Sequence, residues 1–389
     1  MKQIRLLGLI LLIMTSVSMS GFGPPKLLES DRGKVPLYAG QLPPIKESAP
    51  PGLVWKSALI MDFGSGRVVH QRNERLRLPP ASITKVMTAI VALEHADLRE
   101  MVAIKKTHLV EGSYMGLKEG DALSIGDLLW GLLLPSGNDA ATAIADQVGN
   151  GSTETFVAMM NRKAQELGLM DTHFVNPHGL HHPDHYSSAH DIAVMARYAL
   201  QNPTFAEMVA SRHKEISTGY GRSWSLWNSN QLLGQPTWVP GVDGVKTGLT
   251  EEAGDNIVAS ATRDGNRVIV VAMGTSARGP AGADLINHAF EAYTWVSPPT
   301  PLYASTASPD HLGGSMVKAA GLMVPAWQSR YVIPFVMARA GGNAPKDERV
   351  LVRYYLGDDR IAIAGGYLPK VVEATRRDIR AGALRPNSR

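Results

Sequence analysis

Apolar and polar positions change period along this chain, and the changes mark its elements. Ser57 to Phe63 is a short apolar run, Gly64-Ser65-Gly66 supplies turn residues and Arg67 to Gln71 returns, which predicts a pair of strands. Pro79-Pro80 then interrupts the chain, and a helix is expected from Ser82 to about His95. Ser124-Ile125-Gly126-Asp127 has capping-box spacing with Asp in place of Glu, opening a helix through Leu134 that Pro135 ends. Further helices are expected from Asp139 to Val148 and from Thr153 to Leu167. The second puts Phe156, Met159, Met160 and Leu167 on one face and stops at Gly168. Strands follow at Val242 to Thr247, Asn256 to Thr262 and Arg267 to Met273, with Asp264-Gly265 as a hairpin turn between the last two. A helix from about Ala283 to Trp295 closes the series.

Two strands, a block of helices, three strands and a helix imply an α+β domain over residues 53–296. Ser297-Pro298-Pro299-Thr300-Pro301 reads as a linker, 297–301. Beyond it, 316–324, 331–338, 349–356 and 360–363 alternate with turn residues, predicting a small β-rich domain over 302–368, then a basic tail, 369–389. At the other end, Lys2 and Arg5 precede an apolar run, Leu6 to Met14, and small residues around Ser18-Met19-Ser20-Gly21. This is the layout of a secretory signal over 1–20, too short for a comfortable membrane span. Residues 21–52 form a Pro/Gly-rich lead-in.

Composition narrows the function classes. The 389 residues are 44% hydrophobic and 19% charged, values that allow a sizeable core. The formal charge is only +4, with no dense Lys/Arg stripe interleaved with aromatics, so nucleic acid is not an expected partner. There is no cysteine, which removes disulfides and thiolate metal sites and suits an exported protein. Six of the twelve histidines fall between His173 and His190. No H-E-x-x-H accompanies them, and a polar loop is expected rather than a metal site. Met159-Met160, Trp224 and Trp227 are expected in the core.

Three short motifs carry candidate chemistry. In Ser82-Ile83-Thr84-Lys85, helical spacing puts Ser82 and Lys85 on one face. A serine needs a base to become a nucleophile, and a lysine serves only if its pKa falls. Ser136-Gly137-Asn138 offers a hydroxyl for proton relay and an amide to hold a lysine or a carbonyl. Lys246-Thr247-Gly248, at a strand end, offers a cation, a hydroxyl and room for close backbone approach. Singly, each also reads as ordinary structure: a helix cap, a turn, a strand end. Their order and context together form the signature S-x-x-K, S-x-N, K-T-G, with Gly137 where the pattern commonly has Asp.

The segments around these motifs resemble the low-molecular-mass penicillin-binding proteins, the serine-type D-alanyl-D-alanine carboxypeptidases. They are Leu78-Pro79-Pro80-Ala81-Ser82-Ile83-Thr84-Lys85, Leu133 to Ala141, Asn176-Pro177-His178-Gly179-Leu180 and Asp243 to Gly248, and the likeness covers about Leu53 to Trp295. The resemblance implies a penicillin-binding/β-lactamase-like transpeptidase fold, an antiparallel sheet flanked by helices plus an all-helical subdomain. It implies that Ser82 attacks the terminal D-Ala-D-Ala carbonyl, that Lys85 takes its proton, that Ser136 passes the proton to the leaving D-alanine and that Asn138 holds Lys85 and the substrate amide. Lys246 and Thr247 would receive the terminal carboxylate, with Gly248 beside them. The N–H groups of Ser82 and Leu249 would form the oxyanion hole, and Arg278 would add a second carboxylate contact. Implied partners are peptidoglycan stem peptides, with β-lactams as covalent inhibitors. No cofactor is implied.

Rival readings are a D,D-endopeptidase using the same residues, a β-lactamase and a non-catalytic wall-binding scaffold. The endopeptidase fits the small C-terminal domain less well. The β-lactamase would need a deacylating glutamate, and Glu166 has Met170 four residues on, where the usual motif has Asn. Gly254-Asp255-Asn256 departs from the family by placing a charge beside the active-site strand. Residues 370–389 are basic with few bulky apolar positions, so at most weak peripheral membrane contact is expected, on the outer face or in the periplasm.

Overall fold

The computed structural model describes residues 55–218, 221–234 and 238–296, and beyond these 318–319, 321–326, 329, 332–338, 349–356 and 359–367. The expected signal segment, lead-in, linker and basic tail lie outside the described residues. Two compact units are present, the larger within Ile45–Val296 and Ala320–Ser329, the smaller including Ser297–Ala319 and Arg330–Arg389.

The larger unit opens with β1 (Ser57–Asp62) and β2 (Val68–Arg72), a single 3-10 turn Ala81–Thr84, and α1 (Lys85–His95). A short pair, β3 (Met101–Ala103) and β4 (Ala122–Ser124), precedes helices α2 (Ile125–Leu133), α3 (Asn138–Val148), α4 (Thr153–Glu166), α5 (Ala189–Ala199) and α6 (Pro203–Ala210). A hairpin, β5 (His213–Ser217) and β6 (Ser223–Trp227), leads to β7 (Val242–Thr250), β8 (Gly254–Arg263), β9 (Asn266–Thr275), α7 (Arg278–Ala292) and β10 (Tyr293–Val296). The main sheet runs β2-β1-β9-β8-β7, antiparallel throughout.

Both faces of this sheet are covered, which is why its strands read as near-continuous apolar runs. Because side chains alternate across a strand, Leu59, Met61, Val258, Ile269 and Val271 join the helical core around α1. Ala58, Ile60, Ile257, Ala259, Val268 and Val270 face Ala281, Leu285, Ile286 and Ala289 of α7. α1 is buried from Lys85 through Ala92, so the element carrying the first motif is the axis of the helical layer. Asp264 (φ 50°) and Gly265 (φ 77°) make the β8–β9 turn, the doubly positive conformation that suits a two-residue hairpin.

Several expectations need correction. The helix expected from Ser82 begins as the 3-10 turn, and regular α-structure starts at Lys85. The final helix runs from Arg278, not Ala283, and stops at Ala292. Gly279 and Pro280 fall in its first turn, where a missing N–H costs no helical bond. Tyr293 to Val296, four aromatic or β-branched residues, pair instead with Leu322–Pro325 as β10. α5 and α6 were not expected, although Ser188 accepts from the Asp191 amide and Asn202 accepts from the Thr204 and Phe205 amides; the histidine-rich run ending at His190 obscured the start of α5. Trp224 is buried, but Trp227 is 62% exposed. The three-residue offset on β6 puts the two on opposite faces. Met160 is buried, whereas Met159 only packs partly against the core.

The expected strand 316–324 is two strands. β11 (Lys318–Ala319) belongs to the smaller unit, while β12 (Leu322–Pro325) pairs with β10 in the larger one. The smaller unit holds β13 (Val332–Ala338), β14 (Arg349–Leu356) and β15 (Asp359–Tyr367), in a four-stranded antiparallel sheet of order β11-β15-β14-β13.

Candidate active site

Ser82 lies in the 3-10 turn and Lys85 is the first residue of α1, so the two sit one tight turn apart. Lys85 Nζ donates to Ser82 Oγ at 2.9 Å, to Asn138 Oδ1 at 2.7 Å and to the His178 carbonyl at 2.8 Å. Three acceptors saturate an ammonium, and the side chain is fully buried. Burial, then the charge of Lys246, holds its pKa well below the ordinary lysine value, with Asp139 opposing. In its neutral form, which the lowered pKa favours, Lys85 frees a lone pair with which to accept the Ser82 hydroxyl proton.

The acceptors are themselves held. Asn138 Nδ2 donates to the Glu111 carbonyl (2.6 Å), fixing which side of the amide faces Lys85. Asp139, next along α3, is buried and accepts from the amides of Met115, Gly116, Leu117 and Ala140. That carboxylate ties the 111–117 loop to the start of α3. In the loop carrying His178, Asn176 accepts from the Gly179 amide and donates to the Leu180 carbonyl, while Thr88 donates to the Pro177 carbonyl. Gly179 has φ 90°, and a Cβ there would lie 2.0 Å from the Ala81 carbonyl oxygen, so this loop packs directly on the turn that presents Ser82.

Ala81 (φ 50°) and Ser136 (φ 68°) both occupy the left-handed region, which is costly for residues with a Cβ. Both flank the Ser82–Lys85 pair in function, one presenting the serine and one carrying the second motif's hydroxyl. Ser136 Oγ is buried and, among the described residues, has no hydrogen-bond partner. An unpaired buried hydroxyl is rare and leaves both its donor and acceptor capacity open to a ligand or water. Gly137 has ordinary φ, but a Cβ would come 2.6 Å from Asp139 Oδ1 and 3.0 Å from the Gly131 carbonyl oxygen and the Met115 amide. Steric room, rather than conformation, excludes a side chain at that position.

The third motif lies on β7. Lys246 is buried and its Nζ donates to the Thr247 carbonyl at 3.1 Å. Burial, then the charge of Arg278, brings its pKa down to about 7. Thr247 Oγ1 shares a hydrogen bond with Ser229 Oγ (2.9 Å), a partner the sequence reading missed because a serine between Asn228 and Asn230 looks like a turn. A Cβ on Gly248 would lie 2.9 Å from the Pro80 carbonyl oxygen and 3.2 Å from the Ser82 amide, so β7 passes against the Ser82 turn. Leu249 follows with 59% of its surface exposed. Asn256 of β8, also missed, is buried; it donates to the Pro79 carbonyl and accepts from the Gly274 amide, pinning the Pro79-Pro80 segment to the sheet. Arg278 donates to Asp255 at 2.6 Å.

The histidine-rich loop is structural in its bonding. His185 accepts from the Val175 amide at Nδ1, which leaves Nε2–H to face Thr84 Oγ1 at 2.8 Å. Burial brings His185 to about 3 and His178 to about 4, so both are neutral near pH 7. Among the described residues, no three His, Asp or Glu side chains are grouped to hold a metal ion.

The chain is similar to the D-alanyl-D-alanine carboxypeptidases DacF of Bacillus subtilis and DacD of Escherichia coli. DacF is 36% identical over 247 residues, 61% of this chain and 62% of DacF. DacD is 37% identical over 246 residues, 59% of this chain and 61% of DacD. The chain thus spans under two thirds of the length of these relatives. Among solved structures it is similar to DacD from Francisella tularensis, with 26% identity, 81% of this chain and 93% of that chain covered, and a TM-score of 0.60. It is likewise similar to the Streptomyces K15 DD-transpeptidase, with 32% identity, 62% and 98% covered, and a TM-score of 0.58. With a model described as D-alanyl-D-alanine carboxypeptidase matching residues 45–277, from before β1 to the threshold of α7, the chain belongs to the D-alanyl-D-alanine carboxypeptidase family.

Proposed function

We propose that this chain is a penicillin-sensitive serine carboxypeptidase that removes the terminal D-alanine from peptidoglycan stem peptides. The observation that carries the reading is the buried Lys85 Nζ at 2.9 Å from Ser82 Oγ. In this mechanism neutral Lys85 takes the Ser82 proton as Oγ adds to the carbonyl of the D-Ala-D-Ala bond. The oxyanion falls to the backbone N–H groups of Ser82 and Leu249, a type of donor worth about 10²–10³ in rate. The C–N bond breaks as the proton passes, through Ser136, to the leaving amine; the unpaired Ser136 hydroxyl supports that relay. Asn138 orients Lys85 and the substrate amide. Lys246, Thr247 and Gly248 take the terminal carboxylate, with Ser229 orienting the Thr247 hydroxyl and Arg278 as an outer cation. Water then releases the acyl group from Ser82, and a β-lactam acylates the same atom but leaves slowly.

The same chemistry would serve a D,D-endopeptidase, and only the bond that is cut separates the two. A β-lactamase is less favoured, since Glu166 at the end of α4 is bound to Lys163 at 2.8 Å. A peptidoglycan substrate would put the enzyme outside the cytoplasmic membrane, as the expected secretory signal also would. No helix of the described residues is long and apolar enough to cross a membrane. A fluorescent penicillin should label the purified protein, and Ser82→Ala should abolish the label; labelling that survives the substitution would sink the assignment. Free D-alanine released from a pentapeptide, faster than a cross-linked dimer is cut, supports carboxypeptidase over endopeptidase.

A further inference from the structure

Asp255 stands on β8 opposite Leu249 of β7 and, on its other side, opposite Thr275 of β9. It is therefore on the strand next to Thr247-Gly248-Leu249, at the end of the sheet where the third motif lies. Arg278 begins α7 just past β9, and its Nη1 donates to Asp255 Oδ1 at 2.6 Å. Both side chains keep some exposure, 29% and 23%, so the pair is not sealed in the core. Arg278 is also close enough to depress the buried Lys246, so its charge reaches the group expected to receive a carboxylate. The arginine's charge thus acts on Lys246, yet it is offset by a carboxylate of the chain itself.

We infer that Asp255 is a positioning residue that holds Arg278 in reserve, so that an incoming terminal carboxylate must compete with the Asp255 carboxylate for the Arg278 guanidinium. The inference deepens the proposed function and rests on its assignment of Lys246 and Thr247 to the carboxylate. Physically, two anions share one cation: Asp255 neutralises Arg278 and also repels a ligand anion at close range. The guanidinium has five donors in a planar fork, so it can pass from one carboxylate to the other by a small rotation. The result is a site that discriminates less by raw attraction and more by the fit of the carboxylate to Thr247 and Lys246.

The test is binding rather than turnover, so it does not depend on acylation. In the full chain carrying Ser82→Ala, the Kd of N-acetyl-D-alanyl-D-alanine and of its C-terminal amide is measured by titration calorimetry, with and without Asp255→Asn. Freed of its partner, Arg278 should tighten the carboxylate ligand about twofold to fivefold, the range of a partly exposed ion pair, and leave the amide unmoved. The gain should vanish when Arg278→Gln is added. Equal changes for acid and amide, or weaker binding of the acid, would overturn the inference and leave Asp255 as a simple anchor for α7. Failure of the proposed function shows separately, as wild-type protein that a fluorescent penicillin does not label at Ser82.

Discussion

At the scale of single residues, the site is defined by two lysines kept out of water. Each pays for its burial with a weakened hold on its proton, and the sign of that effect fixes a pH dependence. Lys246 ordinarily titrates at 10.5 and here at about 7, because of burial and then Arg278. Between those values the unfolded chain holds a proton that the folded chain has released, so the group's contribution to stability rises with pH across that window. Below about pH 7 the folded state carries a buried charge at full cost. Replacing it with a close apolar isostere, Lys246→Met, should raise Tm by roughly 5 °C at pH 7, with the gap narrowing toward pH 10. Thermal melts at the two pH values check this, and a variant less stable than wild type at pH 7 would contradict it. The same variant should acylate slowly, since the residue that costs stability is the one proposed to hold the substrate carboxylate.

At the scale of elements, the candidate catalytic groups come from five segments. The 3-10 turn gives Ser82, α1 gives Lys85, the α2–α3 connection gives Ser136, the start of α3 gives Asn138 and β7 gives Lys246 to Gly248. Glycines mark the closest approaches: Gly179 against the Ala81 carbonyl, Gly248 against Pro80, and Gly137 against Asp139 and Gly131. The second motif often has Asp where this chain has Gly137, and the packing gives the reason it does not here. Gly137→Asp would set a side chain against the Asp139 carboxylate that organises the 111–117 loop. A loss of about 3–10 °C in Tm is expected from the overpacking, together with slower penicillin labelling. Unchanged melting would show that the 111–117 loop gives way more easily than its three bonds to Asp139 suggest.

At the scale of the whole molecule, the larger unit recruits a strand from beyond the segment expected to bound it. β12 pairs with β10; its Met323 joins the core beneath α7, and Val324 is buried as well. Arg67 donates to the Met323 carbonyl and Tyr293 to the Val69 carbonyl, so this corner also fastens β2. Met323→Ala in the full chain should therefore lower the Tm of the larger unit by roughly 5–15 °C, read as the temperature at which Ser82 loses penicillin labelling. An unaffected labelling profile would mean that β12 adds nothing to the unit that carries the site.

Sequence alone determined the candidate motifs and most of the elements. Ser82 with Lys85, Ser136 with Asn138, and Lys246-Thr247-Gly248 were legible because the proposed chemistry asks for those side chains at local spacings, and local spacing is what a sequence displays. The sheet strands and the Asp264-Gly265 turn were legible for the same reason: period and turn chemistry are properties of neighbours. Tertiary structure decided what depends on residues distant in the chain. The third acceptor of Lys85 is a backbone carbonyl 93 positions away, and a carbonyl has no sequence signature. Ser229 and Asn256 acquire meaning only from the turn or strand they meet, since isolated Ser and Asn read as turn formers; the charge of Asp255 was legible, but not its partner Arg278. The end of α7 at Ala292 was likewise decided by a partner, β12, whose hydrogen bonds to Tyr293–Val296 outweigh a weak local helical preference.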